Sequence, residues 1–260
     1  AHLVTVPVLA DGRPARFGVD TGIGVTLVSE SLAARAGCRS DGSAYTGRRM
    51  SGHPVTLPLG SLSSLRVGDH SAEDVTVGIF DMSDMAGLEG IDGFLGLDYF
   101  RSVPVTFDYP AGVVVLEEVS SLAQRARAGV SAGVRVEHDQ CSTSVFLPLE
   151  VPGAGSLTVE VDTGSDVLIL DEARAQEVGV DLAGPGTRRV EGRDETGQAF
   201  TRYFATVRGS ISVTGAPAVG QADPEVMFQK IIYDGLLGTA FLRNFAVTYD
   251  LPGTRMIFGG

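Results

Sequence analysis

The triplet Asp-Thr-Gly occurs twice, at Asp20-Thr21-Gly22 and Asp162-Thr163-Gly164, each directly after a valine (Val19, Val161). The copies lie 142 residues apart (162 less 20), and other landmarks return at the same interval. Gly93-Phe94-Leu95-Gly96 comes back as Gly235-Leu236-Leu237-Gly238, Gly37 as Gly179 and Asp108 as Asp250. A chance tripeptide does not bring its neighbours along. The chain therefore reads as a tandem duplication in which each half supplies one carboxylate at an equivalent position. That restricts the fold to two similar lobes related by a pseudo-twofold axis.

Two equivalent carboxylates meeting on such an axis form a proton-sharing pair. Like charges roughly 3 Å apart do not both ionise readily, so one acid stays protonated while its partner stays charged. The charged member can take a proton from water, and the neutral member can give one to a carbonyl oxygen. General acid and general base are then both present without metal, cofactor or covalent intermediate.

Within each half the order of elements is the same. Leu3–Val8 and Ala15–Val19 read as strands around the Asp11-Gly12 turn, and Val145–Val151 and Leu157–Val161 play those parts around Pro152-Gly153. After each triplet comes a strand (Thr26–Val28; Val167–Leu170), then a short helix (Ser29–Ala36; Asp171–Val178). Ser29 and Asp171 stand as N-caps, with Gly37 and Gly179 at the C-terminal stops. Arg48–Val55 and Arg188–Glu195 carry a glycine between β-forming flanks, the pattern of a hairpin. Alternating segments come next (Leu62–Val67, Val75–Phe80; Ala205–Val213). Each half closes with Gly-x-x-Gly, a helical turn (Leu97–Phe100; Ala240–Phe245) and two terminal strands. Many short strands and few helices predict an all-β chain of two pseudo-twofold-related lobes, each a closed or partly closed β-barrel with one or two short helices. The expected boundaries are an N-terminal lobe over residues 1–118, a linker over 119–140, read as a plain connector with a helix at Ser120–Ala128, and a C-terminal lobe over 141–260.

Composition narrows the partners. Twenty basic against 32 acidic residues give a net charge of −12, which disfavours nucleic acid. Such a surface serves solubility or work in an acidic medium. No apolar run approaches the roughly 18–20 residues of a membrane span. Four histidines and two cysteines show no metal-ligand spacing, so no metal is expected. Cys38 and Cys141 are not equivalent in the repeat, and both a disulfide and two separate thiols stay open. The chain starts at Ala1 without a signal-peptide pattern, as a processed product or an excised domain would. Its compartment is open, a secreted or extracytoplasmic one among the options.

With these residues in place, the chain resembles the aspartic proteases, specifically a retropepsin-like or pepsin-like fold present as a single-chain tandem. The resemblance covers both halves, in the order Asp-Thr-Gly, short helix, flap hairpin, apolar-apolar-Gly, terminal strands. It implies that Asp20 and Asp162 hold the lytic water. It implies that Thr21 and Thr163 each bond the opposite loop, and that Gly22 and Gly164 let backbone N–H groups reach the carboxylates. Phe94-Leu95-Gly96 and Leu236-Leu237-Gly238 would pass under those loops. Met50-Ser51-Gly52-His53 and Glu191-Gly192-Arg193, the latter running on to Thr196, would be flaps that cover an extended peptide. After the second triplet, Ser165 offers a hydroxyl to Asp162, whereas the first half has Ile23-Gly24 there. That apolar neighbour makes Asp20 the more readily protonated partner.

The expected function is an aspartic endopeptidase that hydrolyses peptide bonds flanked by apolar side chains. Its substrate would be a peptide or protein, with no cofactor, and the tandem needs no second chain to complete the site. The alternative is a catalytically weak or inactive peptide-binding module of the same fold.

Overall fold

The structure is a computed structural model that describes residues 3–83, 88–193 and 198–260. It divides into two compact units. The first comprises the chain through Arg49, His53–Ser102 and Glu137–Ser144, and the second Met50–Gly52, Val103–Val136 and Val145–Gly260.

The first unit is built from β1 (Thr5–Ala10), β2 (Arg13–Val19), β3 (Leu27–Ser29), α1 (Glu30–Ala36), β4 (Ser40–Arg48), β5 (Pro54–Val67), β6 (His70–Phe80) and β7 (Gly93–Leu95). Their order is β1-β2-β7-β3-β6-β5-β4, and β1 pairs back onto β5, which closes the sheet on itself. The closed sheet buries side chains of both strands that meet at the seam. Val6, Val8 and Ala10 of β1 and Leu62, Leu65 and Val67 of β5 all point inward and are buried. The β1–β2 hairpin turns on Asp11 and Gly12, both with positive φ (46° and 72°), as a tight two-residue hairpin demands. Ser29 caps α1 by accepting from the Leu32 N–H (3.1 Å), and Gly37 ends it in the left-handed conformation, as the sequence predicts.

The rest of the chain forms β8 (Val105–Asp108), β9 (Val113–Leu116), α2 (Val119–Ala128), β10 (Val130–Gly133), β11 (Arg135–Asp139), β12 (Ser142–Val151), β13 (Gly155–Val161), β14 (Leu168–Asp171), β15 (Arg188–Arg193), β16 (Ala199–Thr206), β17 (Ser210–Val213), β18 (Ala216–Ala222), β19 (Glu225–Gln229), β20 (Gly235–Leu237), α3 (Thr239–Leu242), β21 (Ala246–Asp250) and β22 (Arg255–Gly259). One sheet runs β15-β16-β19-β14-β20-β13-β12-β17-β18, and another runs β10-β22-β21-β8-β9. In the latter, β8 and β21 pair antiparallel about Thr106 and Thr248, residues separated by the repeat interval of 142. Their hydroxyls bond each other at 2.7 Å, and Thr106 also donates to the buried Glu117 carboxylate at 2.6 Å.

Three expectations change. Asp171 does cap its segment, accepting from Ala173 N–H at 3.0 Å. The segment it opens is a 3-10 turn over Glu172–Arg174 rather than a helix reaching Val178. Successive backbone bonds there span three, four and five residues, from Ala175 to Glu172, Val178 to Arg174 and Val180 to Ala175. A regular helix needs one uniform spacing. The Ala205–Val213 segment breaks into β16 and β17 at Gly209 (φ 102°), whose N–H bonds the Asp223 carboxylate at 2.8 Å. The stretch read as a plain connector contributes β10, which pairs with β22. Cys38 and Cys141 are free thiols. Among the described residues no helix is long and apolar enough to cross a membrane.

Candidate active site

Each unit holds its Asp-Thr-Gly loop in the same way, from the backbone outward. β2 runs parallel to β7 (Val19 opposite Leu95), and β13 runs parallel to β20 (Val161 opposite Leu237). The strand ladder extends one residue into the loop. Asp20 N–H donates to the Leu95 carbonyl at 3.0 Å, and Asp162 N–H to the Leu237 carbonyl at 3.1 Å. The loop then folds back, so that Gly22 N–H donates to Asp20 Oδ1 at 3.0 Å and Gly164 N–H to Asp162 Oδ1 at 2.9 Å. A carboxylate gripped by an amide two residues away has a fixed rotamer. Both acids are half-buried, and Thr21 and Thr163 beside them are buried.

The apolar-apolar-Gly elements run beside the acid-bearing strands within each unit. β7 is flanked by β2 on one side and by antiparallel β3 on the other, with Leu27 opposite Phe94, while β20 lies between β13 and β14 with Ile169 opposite Leu236. Phe94, Leu95, Leu236 and Leu237 are all buried. Gly96 and Gly238 are needed for close approach. A Cβ on Gly238 would collide with the Val167 carbonyl, and one on Gly96 would lie 2.6 Å from Asp98 Oδ1.

Side-chain clamps that the motifs did not reveal complete each loop. In the first unit Asp98 accepts from Thr26 N–H (2.9 Å) and from Thr26 Oγ1 (2.8 Å), while Thr26 Oγ1 accepts from Gly96 N–H (3.2 Å). Desolvation pushes the Asp98 carboxyl up to about 6, against the opposing pull of the Thr26 bonds and of the Arg101 charge. Arg101 itself donates to Thr143 Oγ1 and to the Ser142 carbonyl, both at 2.6 Å, and Thr143 N–H reaches back to the Gly24 carbonyl (3.0 Å). In the second unit Thr239 Oγ1 donates to the Ser165 carbonyl (3.2 Å) and to Asp166 Oδ1 (3.3 Å). The Thr239 and Ala240 amides bond the Ser165 and Asp166 carbonyls at 2.9 and 2.6 Å. A further acid recurs at the repeat interval. Asp92 accepts from Arg16 N–H (3.0 Å) and Arg35 (2.7 Å), and Asp234 from Thr158 N–H (3.3 Å) and Arg174 (2.7 Å). The sequence signal was present, because Asp92-Gly93 and Asp234-Gly235 repeat with the rest.

One expected contact goes elsewhere. The Ser165 hydroxyl donates to the Val167 carbonyl (3.2 Å) inside its own loop rather than to the Asp162 carboxylate. A loop carbonyl two residues on lies within reach of the short serine side chain.

The two segments read as flaps lie on antiparallel strand pairs. β4 and β5 pair down to Arg48 opposite Pro54, and Arg49 N–H closes the turn on the His53 carbonyl (2.9 Å). Met50–Gly52 at the tip belong by their contacts to the second unit. There Ile232 N–H donates to the Met50 carbonyl (2.9 Å), and Met50 packs against the buried cluster formed by Ile169, Met227, Ile231 and Leu236. Ser51 is half-buried and His53 exposed. In the other hairpin β15 pairs with β16, Glu191 opposite Thr201 and Arg193 opposite Ala199. Arg189 pairs with Glu191, Arg188 lies 4.0 Å over the Phe204 ring, and Gly192 faces Phe200. The expected flap's continuation to Thr196 lies outside the described residues.

Residues 6–99 match a family model described as aspartyl protease. Over that stretch the chain is similar to the aspartyl proteases. The matched stretch contains the first Asp-Thr-Gly loop, the first hairpin and Gly96, all in the geometry just described. Among solved structures, basic 7S globulin from soybean is similar over 99% of this chain and 94% of that one, with a TM-score of 0.56 and 11% identity. At that identity the likeness shows the fold alone, the two-lobed pepsin-like one. No curated protein matches the sequence.

Proposed function

We propose that this aspartyl-protease-like chain is an aspartic endopeptidase in which Asp20 and Asp162, supplied by two duplicated halves, act together on one water molecule. The ionised acid takes a proton from the water as its oxygen attacks the peptide carbonyl carbon. The protonated acid gives its proton to the carbonyl oxygen, leaving a neutral tetrahedral diol. Collapse of the diol returns a proton to the leaving nitrogen, breaks the C–N bond and restores one proton to the pair. Thr21 and Thr163 would lock the two loops to each other, and the hairpin tips at Met50–His53 and Glu191–Arg193 would cover an extended substrate. Apolar side chains flanking the scissile bond are the expected preference, and the pseudo-symmetric halves complete the site in one chain.

The observation that carries this reading is the match between the two loops. Asp20 and Asp162 have the same backbone anchor and the same amide grip on Oδ1, with paired distances that agree within 0.1 Å. The two acids also share the interval at which Thr106 pairs with Thr248. The test is cleavage of a denatured protein between pH 3 and 8 by the wild type and by Asp20→Asn and Asp162→Asn. Activity lost in both variants supports the shared-water mechanism, and full turnover by either one defeats it.

A second reading, peptide binding without cleavage, draws on one observation. Neither residue after the triplets offers a hydroxyl to its acid, because Ile23 has none and Ser165 spends its own on Val167. A statine-type transition-state mimic separates the two. Tight binding that disappears in Asp20→Asn favours the enzyme, and indifference to that substitution favours the binding module.

A further inference from the structure

The acid–threonine clamps on the two loops are exchanged between the units. In the first unit the hydroxyl comes from the loop, as Thr26, and the acid lies beyond the crossing glycine, as Asp98 two residues after Gly96. In the second unit the acid comes from the loop, as Asp166, and the hydroxyl lies beyond the crossing glycine, as Thr239 directly after Gly238. The residues at the corresponding places in the repeat cannot do the job. Leu168 stands for Thr26, Ala240 for Asp98, Gly24 for Asp166 and Leu97 for Thr239. The acid therefore comes from opposite sides of the contact in the two units. The feature that persists is a tie between the segment carrying the catalytic acid and the segment after the crossing glycine. A purely local packing need would not call for such a swap.

The two ties differ in how much they rest on side chains. In the first unit, Asp98 engages the loop through two short bonds to Thr26, and Thr26 Oγ1 also takes the Gly96 amide. The charged and titratable groups facing Asp98 are Arg101 from the adjoining turn and Cys141 from the segment before β12. In the second unit the Thr239 hydroxyl bonds are longer, at 3.2 and 3.3 Å, and two backbone amides make the tie without it.

Building on the endopeptidase reading, we propose that Asp98 and Thr26 are the positioning pair for Asp20, and that Thr239 and Asp166 are the corresponding but largely backbone-supported pair for Asp162. The pair reaches the acid through the loop. Thr26 lies six residues after Asp20, and the Gly22 amide that grips Asp20 Oδ1 lies in the same short loop. Freeing the loop's far end lets the carboxylate leave the geometry that catalysis needs. A displacement on the order of 1 Å costs about a hundredfold in rate.

The test uses Asp98→Ala, Asp98→Asn, Thr26→Val and Thr239→Val in the full chain, measured in two ways. Peptide cleavage gives kcat and KM. Amide hydrogen exchange of residues 20–26 reports the loop whether or not the protein cleaves anything. Asp98→Ala and Thr26→Val are expected to lower kcat by about 10- to 100-fold with KM within about twofold, and to open the Gly22 and Thr26 amides to exchange. Asp98→Asn, which keeps an acceptor for the Thr26 amide and a donor for its Oγ1, should recover most of both signals. Thr239→Val should cost about threefold or less. The proposal is overturned if loop protection and kcat survive Asp98→Ala, if Asn rescues no better than alanine, or if Thr239→Val does more harm than Thr26→Val. A wild type that cleaves nothing would refute the endopeptidase reading, while the exchange measurement would still decide the clamp.

Discussion

Asp98 should make the stability of this protein depend on pH in a direction opposite to that of a salt-bridged acid. Its carboxyl is pushed up to about 6 in the folded chain by desolvation, from an ordinary value of 3.8. Between those two pH values the folded state holds a proton that the unfolded state has lost, so stability falls as pH rises. The contribution is fully present below pH 3.8 and is gone once the pH has passed through about 6. A shift of about two units at about 1.4 kcal/mol each gives about 3 kcal/mol. This is an upper figure, since Asp98 keeps part of its surface accessible and solvent screens the charge there. Asp98→Asn mimics the protonated acid and carries no such dependence. The assay is chemical unfolding of wild type and Asp98→Asn at pH 4, 5, 6 and 7.5, monitored by circular dichroism. The difference between the two proteins should be near zero at pH 4 and should grow in favour of Asn, by up to about 3 kcal/mol, by pH 7.5. Titrating groups that do not face Asp98 cancel in the difference. A gap that stays flat with pH, or that widens towards acid, would refute the reasoning.

Single contacts give the remaining expectations. Asp20→Asn and Asp162→Asn should each reduce peptide cleavage by about a thousandfold or more while leaving the melting temperature within a few degrees, because a half-buried acid is exchanged for an amide of the same shape. Thr106→Val should destabilise by about 1–3 kcal/mol in denaturant titration, since it strips the fully buried Glu117 side chain of a 2.6 Å donor. Thr248→Val, which loses only the bond to Thr106, should cost less; the reverse order would contradict the hydrogen-bond assignment. Gly238→Ala should lower stability by several kcal/mol, or prevent folding, because its Cβ would meet the Val167 backbone carbonyl; a thermal melt unchanged from wild type would show that the loops are not threaded this tightly.

The repeat made much of this molecule legible before any coordinates. A period of 142 residues marks both acids, both crossing glycines and both short capped segments. Local chemistry then places the elements around them. Alternation gives the strands, Asp11-Gly12 gives a tight hairpin, and Ser29 with Gly37 brackets α1. These features depend on residues close in sequence, so a one-dimensional reading reaches them. The second capped segment shows the limit, because Asp171 announces a helix start equally well. The chain beyond it forms a mixed turn instead, with Arg174 drawn to Asp234 sixty residues away.

The amino-acid order by itself determined the all-β class, the two equivalent acids and the glycines that let backbone approach them. Tertiary structure alone decided how those acids are held in place. Thr26 and Asp98 are 72 residues apart and Ser165 and Thr239 are 74 apart, and nothing in their local surroundings pairs them. Their roles arise because β7 and β20 each run between the strands on either side of an acid-bearing loop, which brings distant hydroxyls, carboxylates and amides within roughly 3 Å of one another. The swapped clamps make the physical reason plain. The acid comes from the segment after the crossing glycine in one unit and from the loop in the other, so the pairing is set by which segments the fold brings together.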